Sequence, residues 1–403
     1  MRERILACAL SRFSRDGFEA TSLRAIADDL DVSVPTLRNY FGSKDGLLVA
    51  TLHRVFGVVD LGVRQIVKRG LPDPDQALQL AIAINNANRA LSPDLMAHIM
   101  RVAATEPEVG IATKSLTDSL ESIVAYAQKE WGGRKDVEAS QLAQVIADLM
   151  LGAMVDWAQS LDIDPRAHTE IILRAAFDLV IPPDPPRTLS PTEEAFQALP
   201  LAELAPPTRS ERSKRPHAIL EVARRRFAEN GVRETSLESI AKELSIAPLT
   251  ILYHFGSKDG LIAQLTVELA DVIESAVQDV LAGGEETDIA EGVEAITARI
   301  SELPPYGSKL TAEILRVMVT HPEASAASRR IHGAIARMIE LGQERGFVGP
   351  EPGPSLLAQI VLDLYFGGVL RRVQSSPSPI ADSLIDVLRS SELILHTSAP
   401  TVP

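Results

Sequence analysis

The chain is poor in the residues that build disulfide-bonded or zinc-stabilised folds, since it has one cysteine among 403 residues. That count excludes a disulfide framework and any zinc site with three or four cysteine ligands. Aromatic residues make up only 4% of the chain, and no segment shows the sustained alternation of a half-buried strand. Abundant Ala and Leu favour helix instead. The composition therefore predicts an all-α fold.

Long apolar runs are also missing from the sequence. The most apolar internal run, Leu149 to Val155, is bounded by Asp148 and Asp156 and is far too short to span a bilayer. Charged residues between Met1 and Phe13 interrupt any signal-peptide core. We therefore expect a soluble, cytoplasmic protein with no membrane partner. The net charge of −14 excludes a uniformly basic nucleic-acid coat protein.

The chain contains a long internal repeat. Residues Ile5 to Leu47 align without a gap on Ile219 to Leu261, and about 20 of the roughly 43 aligned pairs are identical. The matching continues further along the chain, where Arg101-Val102 recurs as Arg316-Val317 after a shift of a single position in the alignment. We infer that whole halves are duplicated rather than one motif.

Each repeat contains the layout of a helix-turn-helix. In the first, a helix ends at Gly17, Thr21 is predicted to cap a short helix from Ser22 to Asp29, and a second short helix follows over about Ser33–Asn39. In this layout the second helix enters the major groove of DNA.

Clustered prolines separate the two halves, from Pro182-Pro183 to Pro206-Pro207. They forbid a continuous helix, although Ser190 and Glu193 have the spacing of a capping box and predict a short helix within the linker. The predicted domains are a first helix-turn-helix head (1–47), a first helical regulatory body (48–181), a Pro-rich linker (182–212), a second head (213–261) and a second body (262–397).

Segments Phe13–Leu47 and, with few departures, Phe227–Leu261 carry the pattern F-x-x-x-G-x-x-x-T-S-L-x-x-I-A-x-x-L-x-V-S-x-x-T-L-x-x-Y-F-x-S-K-x-x-L. With this pattern the chain resembles the tetracycline-repressor (TetR/AcrR) family of bacterial regulators. The resemblance implies a DNA-binding head and a ligand-sensing body in each half. It also implies that the last two helices of each body pack on a partner as a four-helix bundle, here about 136–160 with 165–181 and about 354–375 with 379–396.

Members of that family normally act as homodimers on palindromic operators, whereas here both protomers share one chain. We expect the two halves of one chain to pair with each other as a pseudo-dimer, so that the protein is a monomer. The linker favours this pairing because it gives the two halves a high effective concentration for each other. Pairing between chains stays open as the alternative.

The resemblance also implies which residues contact DNA. The positions at which the family contacts the DNA backbone are Ser22, Thr36 and Lys44 in the first half and Ser236, Thr250 and Lys258 in the second. Arg24 lies early in the first short helix, where the family often contacts DNA. Its counterpart Glu238 is predicted to complete a capping box with Thr235 instead.

The two recognition helices differ in sequence, reading Ser33-Val34-Pro35-Thr36-Leu37-Arg38-Asn39-Tyr40 and Ala247-Pro248-Leu249-Thr250-Ile251-Leu252-Tyr253-His254. The family usually has Tyr at the positions of Arg38 and Leu252, so both halves depart from it. Arg38 suits bidentate binding of guanine, and Asn39 suits adenine. The second helix offers Tyr253, His254 and apolar contact with thymine methyl groups. We therefore expect double-stranded operator DNA with two unlike half-sites.

The helical bodies are expected to hold an apolar cavity for a small apolar or amphipathic effector. Candidate wall residues are Phe56, Met96, Met100, Tyr126, Trp131, Met150 and Trp157 in the first body and Met318, Met338, Phe347 and Tyr365 in the second. Such side chains also build ordinary cores, and that interpretation stays open.

No P-loop, nucleophile elbow, dinucleotide fingerprint or helical pair of histidine ligands occurs in the sequence. We therefore predict no catalysis, no metal and no cofactor. The sequence predicts a DNA-binding transcriptional regulator, a repressor that a small-molecule effector releases from its operator. The alternatives are a constitutive or protein-controlled regulator and, more remotely, a helical enzyme.

Overall fold

The computed structural model describes residues 1–70, 73–87, 107–158, 165–183, 214–282 and 306–372, together with 95, 98, 99, 102, 188–190, 193, 194, 197, 298 and 299. The chain divides into two compact units, Met1–Thr188 and Leu189–Pro403. All regular structure in the described residues is helical, which confirms the all-α prediction. None of the described helices is long and apolar enough to cross a membrane.

The described part of the first unit is a succession of helices. They are α1 (Arg2–Asp16), α2 (Leu23–Leu30), α3 (Val34–Phe41), α4 (Lys44–Arg69), α5 (Pro74–Ala87), α6 (Pro107–Glu130), α7 (Ala139–Ala158) and α8 (Pro165–Val180). Helices α5, α6 and α8 each begin with proline, which suits a first helical position because no intrahelical partner exists there for the missing N–H.

The second unit begins with the same order of four helices. Its helices are α9 (Lys214–Asn230), α10 (Leu237–Glu243), α11 (Pro248–Phe255), α12 (Lys258–Ala282), α13 (Gly307–Thr320), α14 (Pro322–Glu344) and α15 (Pro354–Arg372). The predicted body helix at about 136–160 occurs as α7, the one at 165–181 as α8, and the one at 354–375 as α15. The segment 379–396 lies outside the described residues.

The first three helices of each unit and the start of the fourth enclose a small apolar core. Apolar residues at helical spacing on α1 meet one or two from each of its neighbours, and all are buried. These residues are Ile5, Leu6, Ala9, Phe13, Ile26, Ala27, Leu37, Leu47 and Leu48, with Ile219, Leu220, Ala223, Phe227, Ile240, Ala241, Ile251, Leu261 and Ile262 at the equivalent positions of the second unit.

The long helices α4 and α12 connect each head to its body. In the first unit α4 packs on α1 and on α6, while α6 packs on α7 and α7 on α8. In the second unit α12 packs on α9, α13 and α14, and α14 packs on α15. A displacement of either long helix therefore acts on a head and a body together.

The predicted capping box in the linker is confirmed. Ser190 N donates to Glu193 Oε2 at 2.8 Å, and Glu193 N donates to Ser190 Oγ at 3.3 Å. Further along, Gln197 Nε2 donates to Glu351 Oε2 at 3.2 Å. This part of the linker therefore belongs to the second unit.

Candidate DNA-binding site

The first head places two short helices around a tight turn. Asp31 has a φ of 53°, and Val32 N donates to Ala27 O at 3.0 Å, so α2 ends in a left-handed residue that redirects the chain into α3. The second head repeats this turn, with Ser245 at a φ of 54° and Ile246 N donating to Ala241 O at 3.0 Å.

The cap of the first short helix differs by one residue from the prediction. Ser22 is the N-cap of α2, and its Oγ accepts from Ala25 N at 3.0 Å. Thr21, predicted as the cap, is buried, and its Oγ1 donates to Gly17 O at 2.7 Å, which ties the end of α1 to the start of α2. Adjacent Thr and Ser both carry a hydroxyl suited to capping, so the sequence did not decide between them.

The same shift overturns the predicted capping box in the second head. The N-cap of α10 is Ser236, whose Oγ accepts from Ser239 N at 3.1 Å, while Thr235 Oγ1 donates to Gly231 O at 2.8 Å. Glu238 lies in the first helical turn, where hydrogen bonding to backbone N–H lowers the pKa of its carboxyl. Its counterpart Arg24 is exposed. The two heads therefore present opposite charges at this position.

The two recognition helices begin differently but end in the same way. Ser33 caps α3 and accepts from Thr36 N at 3.3 Å, while Ala247 occupies the equivalent position of α11 without a side-chain cap. Gly46 and Gly260 then allow the fourth helix to start against the last turn of the recognition helix. A Cβ at either glycine would overlap the carbonyl oxygen of Phe41 or Phe255.

The exposed face of α3 is polar. Leu37 is buried at 1% exposure, whereas Pro35, Arg38, Asn39 and Tyr40 are exposed. Val34 and Thr36 are half-buried. This face therefore presents a guanidinium, an amide and a phenol to solvent.

The exposed face of α11 is predominantly apolar. Ile251 is buried, whereas Leu249 is 72% exposed, Tyr253 85% and Leu252 39%. Ala247, Pro248 and His254 are also exposed, and Thr250 is half-buried. Leu252 stands where α3 has Arg38, so the second helix has no guanidinium at this position.

The lysines that open the fourth helix each donate to a backbone carbonyl in the loop that follows the first helix of the head. Lys44 Nζ donates to Glu19 O at 3.2 Å and lies 4.3 Å from the centre of the Phe18 ring. Lys258 Nζ donates to Val232 O at 2.9 Å. Because an ammonium carries three protons, the single bond of Lys258 leaves donors for a phosphate.

A pair of ionic contacts that sequence reasoning missed fixes the first short helix of each head. Arg12 Nε and Nη2 donate to the two carboxylate oxygens of Asp29 at 2.5 and 2.7 Å, and this contact lowers the pKa of Asp29. At equivalent positions Arg226 Nε donates to Glu243 Oε2 at 2.7 Å and lowers the pKa of that carboxyl. The recurrence of both charges at aligned positions of the repeat was the available signal.

Comparison with known proteins places these heads in a family. The model of bacterial regulatory proteins of the tetR family matches residues 5–51 and 219–265. The HTH-type transcriptional repressor KstR of Mycobacterium tuberculosis is 30% identical over 179 residues, which cover 43% of this chain and 79% of that protein. The chain belongs to the tetR family. The two separate matches also establish that its tetR-family head occurs in tandem.

Other relatives of this tetR-family chain are also transcriptional regulators. The HTH-type transcriptional regulator UidR of Escherichia coli K12 is 27% identical over 154 residues, covering 37% of this chain and 76% of that protein. The crystal structure of Thermus thermophilus FadR, a TetR-family transcriptional repressor in complex with lauroyl-CoA, is 20% identical, with a TM-score of 0.36. The match covers 47% of this chain and 97% of the FadR chain. The family match and the relatives KstR and UidR together support the statement that the chain is a DNA-binding transcriptional regulator.

The body of the first unit of this tetR-family chain contains an apolar cavity of about 130 Å³. Of the predicted wall residues, Trp131 and Met150 line it. Tyr126 does not line it but packs edge-on against Trp131, with ring centres 5.2 Å apart. Met96, Met100 and the side chains of Phe56 and Trp157 lie outside the described set. The rest of the lining comes from Phe177 and from aliphatic and small residues, none of which sequence reasoning named.

The described part of the second body has a cavity of about 30 Å³, lined in part by Met318 and Tyr365. Met338 is buried but does not line it. The prediction for Phe347 is wrong, because this side chain is 53% exposed. It follows Gly346, which has a φ of 75° and lies just past the end of α14, so that the chain has already turned to the surface.

Proposed function

We propose that the chain is a repressor whose two heads read two unlike half-sites of one operator. The observation that carries this proposal is the difference between two helices that occupy the same place in the same local fold. Arg38 and Leu252 are both exposed at equivalent positions, and so are Asn39 and Tyr253. Two faces of such different chemistry favour different base pairs.

The first head is equipped for hydrogen-bonded readout. A guanidinium binds the O6 and N7 atoms of guanine as a pair, and an asparagine amide binds the N6 and N7 atoms of adenine. Arg38 and Asn39 supply these groups from the exposed face of α3. A good bidentate pair contributes about 1–3 kcal/mol of discrimination against the wrong base.

The second head is equipped for apolar readout. Leu249 and Leu252 have no hydrogen-bonding group in their side chains, and both are exposed. The C5-methyl group of thymine is the apolar feature of the major groove. We therefore assign a thymine-rich half-site to α11, with Tyr253 and His254 on the adjacent backbone or base edges.

Both heads have the same means of holding the DNA backbone. Ser22 and Ser236 cap α2 and α10, whose N-terminal N–H groups and dipole favour an anion. Lys44 and Lys258 lie at the start of α4 and α12. Thr36 and Thr250 lie in the first turns of the two recognition helices. We assign these six residues to phosphate contacts, and Arg24 to a further one in the first head alone.

One chain supplies both heads in this proposal. The covalent connection keeps the two units at a high mutual concentration, which favours association within the chain over pairing between chains. Two heads in adjacent major grooves on one face of DNA stand about 34 Å apart, or one helical turn. The expected complex is therefore one chain on one operator.

Release from the operator is assigned to a small apolar effector in the body. The cavity of about 130 Å³ in the first unit supports this assignment, because it lies against α4, the helix that leads to the head. An effector acts as a switch only if it binds more tightly to the state with the wrong head spacing. The same arrangement without any effector would make a constitutive regulator.

Selection of binding sites from random DNA tests the proposal. The expected consensus has two unlike halves, one with a conserved guanine and one rich in thymine. The matched variants are Leu252→Arg, which places a guanidinium on α11, and Arg38→Leu, which removes the one on α3. Leu252→Arg should add a guanine preference to the second half, and Arg38→Leu should remove it from the first. Recovery of a perfect palindrome by the unmodified protein would overturn the proposal.

A further inference from the structure

We propose that each chain binds one effector molecule and that the first unit binds it. The second unit keeps a single conformation. The effector is an uncharged, apolar molecule or the apolar end of a larger one. This inference rests on the effector release proposed above and names the sensing half and the chemistry that it accepts.

The cavity of the first unit is suited to an uncharged occupant. It lies among α4, α5, α6, α7 and α8, and none of the described residues that line it is charged. Burying an ionised group there would remove its water without supplying a partner, which is strongly unfavourable. The space arises from small residues on four of the surrounding helices, namely Gly62, Ala77, Ala81, Ala127 and Ala176.

Two aromatic rings form part of the same wall. Trp131 and Phe177 have ring centres 6.4 Å apart, and both line the cavity. An apolar cavity of about 150 Å³ stays dry and binds benzene, so a cavity of about 130 Å³ accepts a single ring or a short alkyl segment. The cavity is also partly open, so a longer molecule can extend beyond it.

At the one position that lines both cavities, the described part of the second unit has the larger side chain. In the alignment that pairs Arg101 with Arg316, Met150 on α7 corresponds to Tyr365 on α15, and its neighbours Ala147 and Leu151 correspond to Leu362 and Phe366. Those three α15 residues line the cavity of about 30 Å³. Such a volume is enough for water but not for a ring.

The second unit also holds its long helix with ion pairs, one of them buried and the others partly buried. Arg224 on α9 donates to Glu268 on α12 at 2.6 Å, and their side chains are 7% and 8% exposed. Arg330 on α14 donates to Asp271 at 2.8 Å and to Glu274 at 3.0 Å, both on α12. These contacts tie α12 to the head on one side and to the body on the other.

The first unit has different residues at those positions. The equivalents of Arg224 and Glu268 are Leu10 and Arg54, and the equivalent of Arg330 is Ser115. Displacing α12 would separate the buried carboxylates of Glu268 and Glu274 from their guanidinium partners, which is costly. The described polar contacts of α4 with other helices include the exposed pair of Arg54 with Glu3 and the hydrogen bond from Ser119 to Asp60. We infer that α12 resists displacement more than α4 does. A ligand that enters beside α4 therefore acts on the first head, while the second keeps its position.

Binding of toluene to the Trp157→Phe variant tests the inference directly. The chain has two tryptophans, so this variant leaves Trp131 in the cavity wall as the one emitter. Calorimetric titration is expected to give one toluene per chain, with a change in Trp131 emission that saturates at the same concentration. Benzoate and benzylammonium, which carry a charge on a ring of similar size, are expected to give neither signal at ten times that concentration.

Variants that fill the cavity locate the site. Met150→Phe and Ala176→Leu should weaken toluene binding at least tenfold. The control Leu80→Phe adds bulk to the exposed face of α5, outside the cavity, and should leave the affinity unchanged. Hydrogen exchange should show protection changing in α4 on toluene binding and staying constant in α12.

Several results would overturn the inference: two toluene sites per chain, no toluene binding up to its solubility limit, equal binding of benzoate, or unchanged affinity in both filled variants. If the filled variants do not fold, the Trp131 emission and the stoichiometry in the Trp157→Phe protein still decide. Separately, toluene-bound protein that keeps its full affinity for the selected operator would refute effector release by this ligand class while leaving the cavity assignment intact.

Discussion

The ion pair between Arg224 and Glu268 leads to a prediction about the stability of the second unit. The first unit serves as an internal control because it lacks this pair. Replacing Glu268 by Leu leaves a buried guanidinium without its carboxylate. The neighbouring groups replace only part of the lost interaction, because the Tyr306 ring, 5.7 Å from the guanidinium, offers a cation–π contact but no negative charge. Burial raises the pKa of Tyr306 to about 12, so this phenol is neutral and supplies no charge.

The expected cost follows from the burial of both partners. Breaking a buried ion pair by removing one member typically costs about 3–5 kcal/mol. For a unit of this size each kcal/mol lowers the melting temperature by roughly 2–4 °C, so the expected shift is about 6–20 °C. The double variant Arg224→Leu with Glu268→Leu removes both charges. It should regain most of the loss, because an apolar pair of similar volume often replaces a buried ion pair without cost. Leu10 already occupies the equivalent position in the first unit.

Two signals separate the two units in this measurement. Both tryptophans, Trp131 and Trp157, lie in the first unit, so tryptophan emission follows that unit alone, whereas circular dichroism at 222 nm follows both. Glu268→Leu should lower part of the circular dichroism transition and leave the emission midpoint in place. Equal destabilisation by the single and double variants would refute the reasoning, and so would a shift confined to the emission transition.

Three further predictions concern the heads and the acid stability of the second body. Arg38→Ala should cost about 1–3 kcal/mol on the selected operator and relax the preference at one base pair, as measured by fluorescence anisotropy on operators substituted at each position; loss spread evenly over all operators would contradict base readout. Lys258→Ala should weaken binding to all sequences alike and reduce the slope of log affinity against log salt by about one, and an unchanged slope would remove Lys258 from the phosphate contacts. Burial lowers the pKa of His332 below its ordinary value of 6.5, so protonation favours the unfolded chain. The contribution of neutral His332 to the stability of the folded state is therefore complete above about pH 6.5. This contribution is lost as the pH falls through the pKa of the folded state. His332→Gln should therefore flatten the decline in melting temperature below pH 6.5, and an unchanged decline would assign it to other groups.

The heads could be predicted from the sequence because the chain contains two copies of the head that can be aligned with each other. Positions that recur in the gap-free alignment of the two heads, such as Gly46 and Gly260, are those whose backbone or packing the fold constrains. The remaining error was local. Thr21 and Ser22 both suit a helix cap, and only the packing of α1 against α2 buries the first and exposes the second.

The cavity was harder to predict from the sequence because it is the space that small side chains leave between packed helices. Large side chains such as Tyr126 and Met338 are conspicuous in a sequence, yet neither lines a cavity here. The first cavity arises where alanines and a glycine from different helices face one another, and that meeting depends on how the helices pack. The recurrence of Ala77 and Ala81 one helical turn apart on α5 was the visible sign of this face.

The most direct test of the central claim is the mass of the complex with the selected operator, measured by light scattering after size exclusion. The account predicts one chain of 43.5 kDa per duplex, with both heads engaged. Two chains bound to each duplex would contradict it, because the heads would then be paired between chains and the unlike recognition helices would no longer require unlike half-sites.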